Sequence, residues 1–165
     1  MPHTFEIRAA GADDVATLLT LVKELAEYER LSHEVLATED LLQEAMFGSR
    51  PYAEAAIAYA NGAPVGFAVY FHTFSTFLGK PGLYLEDLYV RPAHRRRGYG
   101  QAVLRHVATI ARERGCGRLE WAALDWNHPA VQFYTALGAE PLDEWTTYRV
   151  TGDDLRRLAG TPGDE

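Results

Sequence analysis

Two apolar runs, Ala55–Ala60 and Val65–Phe71, flank an Asn61-Gly62 pair near the middle of the chain. Asn-Gly accepts the positive φ angles of a tight turn, and runs of this length and composition are strands, so this stretch folds back on itself as an antiparallel hairpin. Leu83–Val90 reads as a third strand of the same meander. The rest of the chain has to be arranged around that sheet. On its N-terminal side Phe5–Arg8 alternates like a short strand. Val15, Leu18, Leu19, Val22, Leu25 and Ala26 then recur at helical spacing and predict an amphipathic helix over about 13–29. Asp13 and Asp14 fall in its first turn, where the helix dipole favours negative charge. A second, short helix is predicted after Thr38, an N-cap residue, and stops near Gly48.

Beyond the meander, Val103, Leu104, Val107, Ala108 and Ala111 line one face of a helix starting near Gly98. A strand over 118–124 follows, then a helix over about 129–137 with Gly138 as its terminating glycine, then two strands flanking Pro141 and ending around Val150. Strands alternating with helices imply a mixed sheet covered on both faces, an α/β or α+β architecture of three layers. With no internal repeat or linker, the 165 residues read as one domain over 4–158 with a frayed tail, 159–165.

Charged residues make up 24% and hydrophobic residues 47%, which excludes a disordered chain. Cys116 is the sole cysteine, so neither an internal disulfide nor a multi-thiolate metal site can form, in keeping with a reducing compartment. The N-terminal residues lack the apolar core of a secretory signal, and no run approaches the roughly 18 apolar residues of a membrane span. A cytoplasmic protein without a membrane partner is expected. The net charge of −7 repels phosphate backbones and steers cations inward, which disfavours nucleic acid and suits a cationic ligand. The six histidines show no metal-ligand spacing such as H-E-x-x-H, and no metal is expected.

Arg95-Arg96-Arg97-Gly98-Tyr99-Gly100 lies between a predicted strand and a predicted helix. Its glycines let the backbone turn sharply, its N–H groups can point at an anion above the helix N-terminus, and its arginines add full charges. Alone, the stretch fits equally a pyrophosphate cradle or a tight turn with a solvated basic face. It matches neither G-x-x-x-x-G-K-[ST] nor G-x-G-x-x-G, so nucleoside triphosphate and dinucleotide loops are disfavoured.

The stretch does match R-x-x-G-x-G, and here the chain resembles the GNAT superfamily of N-acetyltransferases. The resemblance extends over nearly the whole chain. Ile7–Ala10, Lys23–Glu29, Gly66–Phe71, Leu83–Leu88, Trp126–Pro129 and Phe133–Ala139 are all similar to the diamine (spermidine/spermine) acetyltransferase branch. The chain departs from it at Ser75-Thr76-Phe77, where that branch has an acidic residue before a Pro-Trp pair, and at an insertion near Pro81-Gly82.

The resemblance implies an enzyme that moves an acetyl group from acetyl-coenzyme A to a primary amine, most simply a small cationic diamine, polyamine or lysine-like acceptor. A protein amine or aminoglycoside acceptor, and a non-catalytic coenzyme A sensor, stand as alternatives. Arg95, Arg96, Arg97, Gly98, Tyr99, Gly100 and Gln101 are implied to hold the pyrophosphate. Leu88, Tyr89 and Val90 are implied to polarise the acetyl carbonyl through backbone N–H groups, and Asn127, Ala130 and Tyr134 to touch the coenzyme. Asn127 reads equally as the N-cap of its helix. Amines of the lysine type are mostly protonated near neutral pH, so a proton acceptor is needed. Glu86 is implied in that role, against the alternative of a strand-end carboxylate paired with an arginine. Asp87 would point to the opposite face of a regular strand. Tyr134 is implied as the proton donor to the thiolate, although its stripe with Ala130, Phe133 and Leu137 reads as core. Tyr28, Glu29, Glu86, Glu120 and Trp121 are implied to receive the amine; by pattern Tyr28 and Glu29 are a surface pair and Trp121 a core residue. A homodimer is implied as well.

Overall fold

In the computed structural model, which describes residues 2–160, five strands form one sheet in the order β1-β2-β3-β4-β5. They are β1 (Phe5–Ala9), β2 (Glu54–Ala60), β3 (Ala63–Ser75), β4 (Lys80–Val90) and β5 (Leu119–Trp121). Neighbours pair antiparallel except β4 and β5, which run parallel. The hairpin between β2 and β3 turns through Asn61 (φ 51°) and Gly62 (φ 81°), the two positive angles its sequence foretold. Both arms of the β3–β4 hairpin run further than their apolar cores, out to the Ser75–Lys80 pair. The polar residues of those extensions had hidden them from a hydrophobic pattern.

Helix α1 (Val15–Tyr28) follows a short 3-10 turn, Ala12–Asp14, so the two aspartates precede the α-helix instead of forming its first turn. Helix α2 (Glu39–Phe47) begins where Thr38 Oγ1 accepts the Leu41 N–H at 3.2 Å. Leu18, Leu21, Leu25 and Met46 from these helices pack on Ala55, Ile57, Phe67 and Tyr89 of the sheet. The alternate residues Ala56, Ala58, Ala68 and Tyr70 are equally buried on the other face, as period-two strands require. That face meets α3 (Tyr99–Glu113), which buries Val103, Leu104, Val107 and Ala111 and packs against β3 and β4. The three expected layers are present.

This first compact unit ends at Leu124, and a second begins at Asp125. Within the second unit lie α4 (His128–Ala136), with Pro129 in its first turn, and α5 (Gly152–Ala159). Gly138 (φ 91°) follows α4 as predicted. The two strands expected around Pro141 do not form. Residues 145–150 have strand-forming side chains, but this unit contributes no second strand among the described residues to complete a ladder, and Trp145 and Tyr148 stay 79% and 90% exposed. The strand expected over 118–124 is likewise confined to Leu119–Trp121. Helix α5 went unanticipated, although Asp153 and Asp154 in its first turn and Arg156 and Arg157 in its last complement the helix dipole. The rest of the expected tail, 161–165, lies outside the described residues.

Candidate active site

Past the end of β4, Pro92–His94 makes a 3-10 turn and the chain enters the arginine–glycine loop. Arg96 (φ 64°) and Gly98 (φ 78°) both take left-handed backbone, which coils the loop onto the start of α3. Gly98 is the N-cap, and the first helical N–H closed back onto the turn is that of Ala102, which donates to the Gly98 carbonyl at 3.0 Å. The N–H groups of Tyr99, Gly100 and Gln101 therefore precede the ladder, at the positive end of a fifteen-residue helix. A side chain on Gly98 would meet nothing within 4 Å, and one on Gly100 only Val90 Cγ2 at 3.9 Å. Bare backbone thus faces open space beside the exposed Arg95, Arg96 and Arg97. This donor set, all N–H and guanidinium, fits a pyrophosphate.

The side chains around the loop divide between structure and site. Tyr99 is buried, stacked on Phe5 at 4.2 Å and hydrogen-bonded to His3 Nε2, so only its backbone is available to a ligand. Arg91 forms a bidentate pair with Glu24, through Nε at 3.0 Å and Nη2 at 2.8 Å, and its Nη1 donates to the Pro64 carbonyl. Glu24 thereby fixes the exit of β4 to α1, a positioning role that pattern reading missed. Arg95 donates from Nε to the Val90 carbonyl at 2.9 Å and lays its guanidinium 4.7 Å over the Tyr28 ring.

The register of β4 against β3 shifts by one residue. Tyr70 pairs with Leu85 and Val69 with Asp87, which leaves Glu86 as the extra residue of a bulge. The expectation that Glu86 and Asp87 face opposite sides presumed unbroken alternation, and the bulge removes that premise. Burial, followed by the charges of Glu86 and then Glu29, pushes the Asp87 carboxyl up to about 7. Glu29 caps the C-terminus of α1, and burial raises its carboxyl too. Tyr84 is raised by burial and then by Glu86 and Glu120, the latter its register partner on β5. Asp87 thus feels Glu86 and Glu29, Tyr84 feels Glu86 and Glu120, and Glu86 is common to both groups; Asp87 is the member that was not anticipated. An adjacent Glu-Asp pair was its only mark in the sequence, because a bulge leaves none. Arg118 lies 3.8 Å from Glu120 and donates from Nη2 to Ser75 Oγ at 2.7 Å, so the serine at the divergent position serves the arginine. Half-buried Trp121 ends β5. Because β5 pairs only with Leu83–Leu85, the outer edge of β4 from Glu86 through Leu88, Tyr89 and Val90 extends beyond it.

In the second unit, Asn127 stands at the N-cap of α4, but its side chain makes no capping hydrogen bond. Ala130 and Tyr134, four residues apart, share one helix face. The Tyr134 ring is half-buried and tilted against Phe133 at 5.6 Å. Among the described residues no helix is long and apolar enough to cross a membrane.

Residues 18–139 match the acetyltransferase (GNAT) family. Over 93% of its length the chain is 39% identical to the thialysine N-epsilon-acetyltransferase of Bos taurus, of which the match covers 96%. It is 30% identical to the L-ornithine N5-acetyltransferase NATA1 of Arabidopsis thaliana, covering 92% of this chain and 86% of that one. Among solved structures, an integron cassette protein from V. cholerae superposes with a TM-score of 0.80 at 28% identity, covering 95% and 98% of the two chains.

Proposed function

The chain belongs to the GNAT acetyltransferase family, and from that premise we propose that it moves an acetyl group from acetyl-coenzyme A to a primary amine of a small diamine or lysine-like acceptor. The observation that carries the acceptor class is the acidic neighbourhood of Glu29, Glu86, Asp87 and Glu120. Several carboxylates, two of them partly desolvated, suit a ligand that keeps one ammonium while another amine reacts, whereas a single exposed pair would contribute only about 0–1 kcal/mol. The relatives named for thialysine and L-ornithine, both of this chemical type, support the reading.

Bound acetyl-coenzyme A supplies the thioester acyl group. Arg95, Arg96, Arg97 and the backbone of Gly98, Tyr99, Gly100 and Gln101 hold its pyrophosphate, and Asn127 and Ala130 contact it further along. Backbone N–H groups of Leu88, Tyr89 and Val90 serve as oxyanion donors. Glu86 accepts the amine proton, directly or through water, and the Tyr134 hydroxyl donates one to the departing thiolate. Tyr28, Glu29, Asp87, Glu120 and Trp121 receive the acceptor. The enzyme works in the cytoplasm as a homodimer, which light scattering at assay concentrations checks.

A coenzyme A release assay over a panel of short diamines, lysine and ornithine analogues, spermidine, aminoglycosides and peptide amines tests the acceptor class. Short diamines and lysine-like amines should lead. Spermidine should trail them, because Ser75 contributes no charge and its arginine partner flanks Glu120. Turnover confined to aminoglycosides or peptides would sink the proposal.

A further inference from the structure

Arg95 and Tyr28 stand in different halves of the proposed machinery, the one in the anion loop and the other at the end of α1 next to Glu29, yet they touch. The guanidinium carbon of Arg95 lies 4.7 Å from the centre of the Tyr28 ring and 5.7 Å from that of Tyr89. Its Nε donates to the Val90 carbonyl at 2.9 Å. These contacts set the guanidinium against two aromatic rings and use one of its five N–H donors. The Nη groups have no hydrogen-bond partner among the described residues, so the outer edge of the fork is available. A guanidinium can stack on an aromatic face while its edge donates to a phosphate, because the two interactions use perpendicular directions.

We propose that Tyr28 is a positioning residue for the coenzyme: its ring holds Arg95 so that the two Nη groups are presented to the pyrophosphate. An unsupported arginine must surrender most of its rotamer freedom when it grips a phosphate, and one already held over a ring and tethered at Nε has less to lose. Tyr89 is itself fixed, with its ring edge-on to Phe67 in the core, so the second aromatic wall is rigid. The acceptor side of the site thus contributes to donor affinity. By thermodynamic reciprocity, whatever the coenzyme does to Arg95 is returned to Tyr28 and to the amine pocket it borders. The inference rests on the reading of Arg95–Gln101 as the pyrophosphate site.

Calorimetric titration with coenzyme A itself, which carries no acetyl group to transfer, separates the two ideas. Tyr28→Leu removes the ring and should weaken binding about three- to tenfold, the range of a partly desolvated cation–π contact. Tyr28→Phe keeps the ring and should bind like the wild type. In an Arg95→Ala background, Tyr28→Leu should bring no further loss, a dependence that a merely structural role for the α1 terminus would not produce. Tyr28 is 39% exposed, so its truncation leaves little cavity, and melting curves verify that each variant is folded. Unchanged affinity in Tyr28→Leu beside weakened Arg95→Ala overturns the link and leaves the loop reading intact. Equal losses from Tyr28→Leu in both backgrounds overturn it as well. Wild-type affinity in both Arg95→Ala and Gly100→Val removes the loop reading, and the inference falls with it.

Discussion

Asp87 shows how much one residue's surroundings decide. An ordinary aspartate titrates at about 3.9, and here burial, helped by Glu86 and Glu29, lifts it to about 7. The folded state therefore binds this proton more tightly than the unfolded state does. The associated stability is complete below about pH 3.9 and is lost as pH rises through about 7. Asp87→Asn should accordingly melt higher than the wild type at pH 8 and match it only below about pH 3.9, because asparagine mimics the protonated acid. An ionised Asp87 is also what an ammonium would seek. The KM for a diamine should fall as pH rises through about 7 in the wild type and change little there in Asp87→Asn. A variant with the same melting profile as the wild type at both pH values would refute the assignment. Glu86, Glu29 and Glu120 were named through the resemblance alone, since by pattern Glu29 reads as a surface residue and Glu86 as a strand-end carboxylate. Asp87 had been set on the opposite face because alternation is a property of regular strands, and Glu86 is the extra residue that breaks it.

At the scale of elements, the parts that read correctly were those whose hydrophobic period is enforced by burial on the sheet. Leu18 and Leu25 on α1, and Val103, Leu104, Val107 and Ala111 on α3, are buried because they face it, and so is Leu21, which the expected stripe left out. The strands flanking Pro141 were misread because strand propensity describes a half-buried surface and supplies no partner to pair with. The anion loop lies between these cases. Its glycines were visible, but the left-handed turn at Arg96 was not, since nothing in an arginine foretells a positive φ. The two glycines also differ in what they permit. Gly98 has φ 78°, so a branched residue there strains the backbone and blocks ligand approach at once. Gly100 lies within α3 without positive φ, and an added Cβ would sit 3.9 Å from Val90 Cγ2. Gly100→Val should therefore fold with a melting temperature within a few degrees of the wild type. Acetyl-coenzyme A should nonetheless fail to raise that melting temperature, since ligands stabilise only the native state that binds them. A full ligand-induced shift in this variant would show that the pyrophosphate does not approach the backbone there.

Over the whole molecule, a net charge of −7 has to serve two ligands of opposite sign. The coenzyme is a polyanion, and a diamine near neutral pH is a dication. The first unit resolves this by segregation, with Arg95, Arg96 and Arg97 gathered on the loop and Glu29, Glu86, Asp87 and Glu120 gathered around β4 and β5. On the proposed reading, the molecular charge attracts the amine from a distance, while the coenzyme depends on the local cluster of arginines and N–H groups. Screening separates those ranges. The Debye length shrinks from about 10 Å at 0.1 M salt to about 3 Å at 1 M, so long-range steering fades while contacts within the cleft weaken less. The kcat/KM for a dicationic diamine should therefore fall as salt rises from 0.02 to 0.3 M, by roughly several-fold, and fall less for a monoamine of similar length because steering scales with ligand charge. Glu29→Gln should lower the diamine's dependence toward that of the monoamine. Should both amines respond to salt with the same slope in the wild type, the acidic field does not select the acceptor. Contacts within the cleft alone would then have to account for any preference.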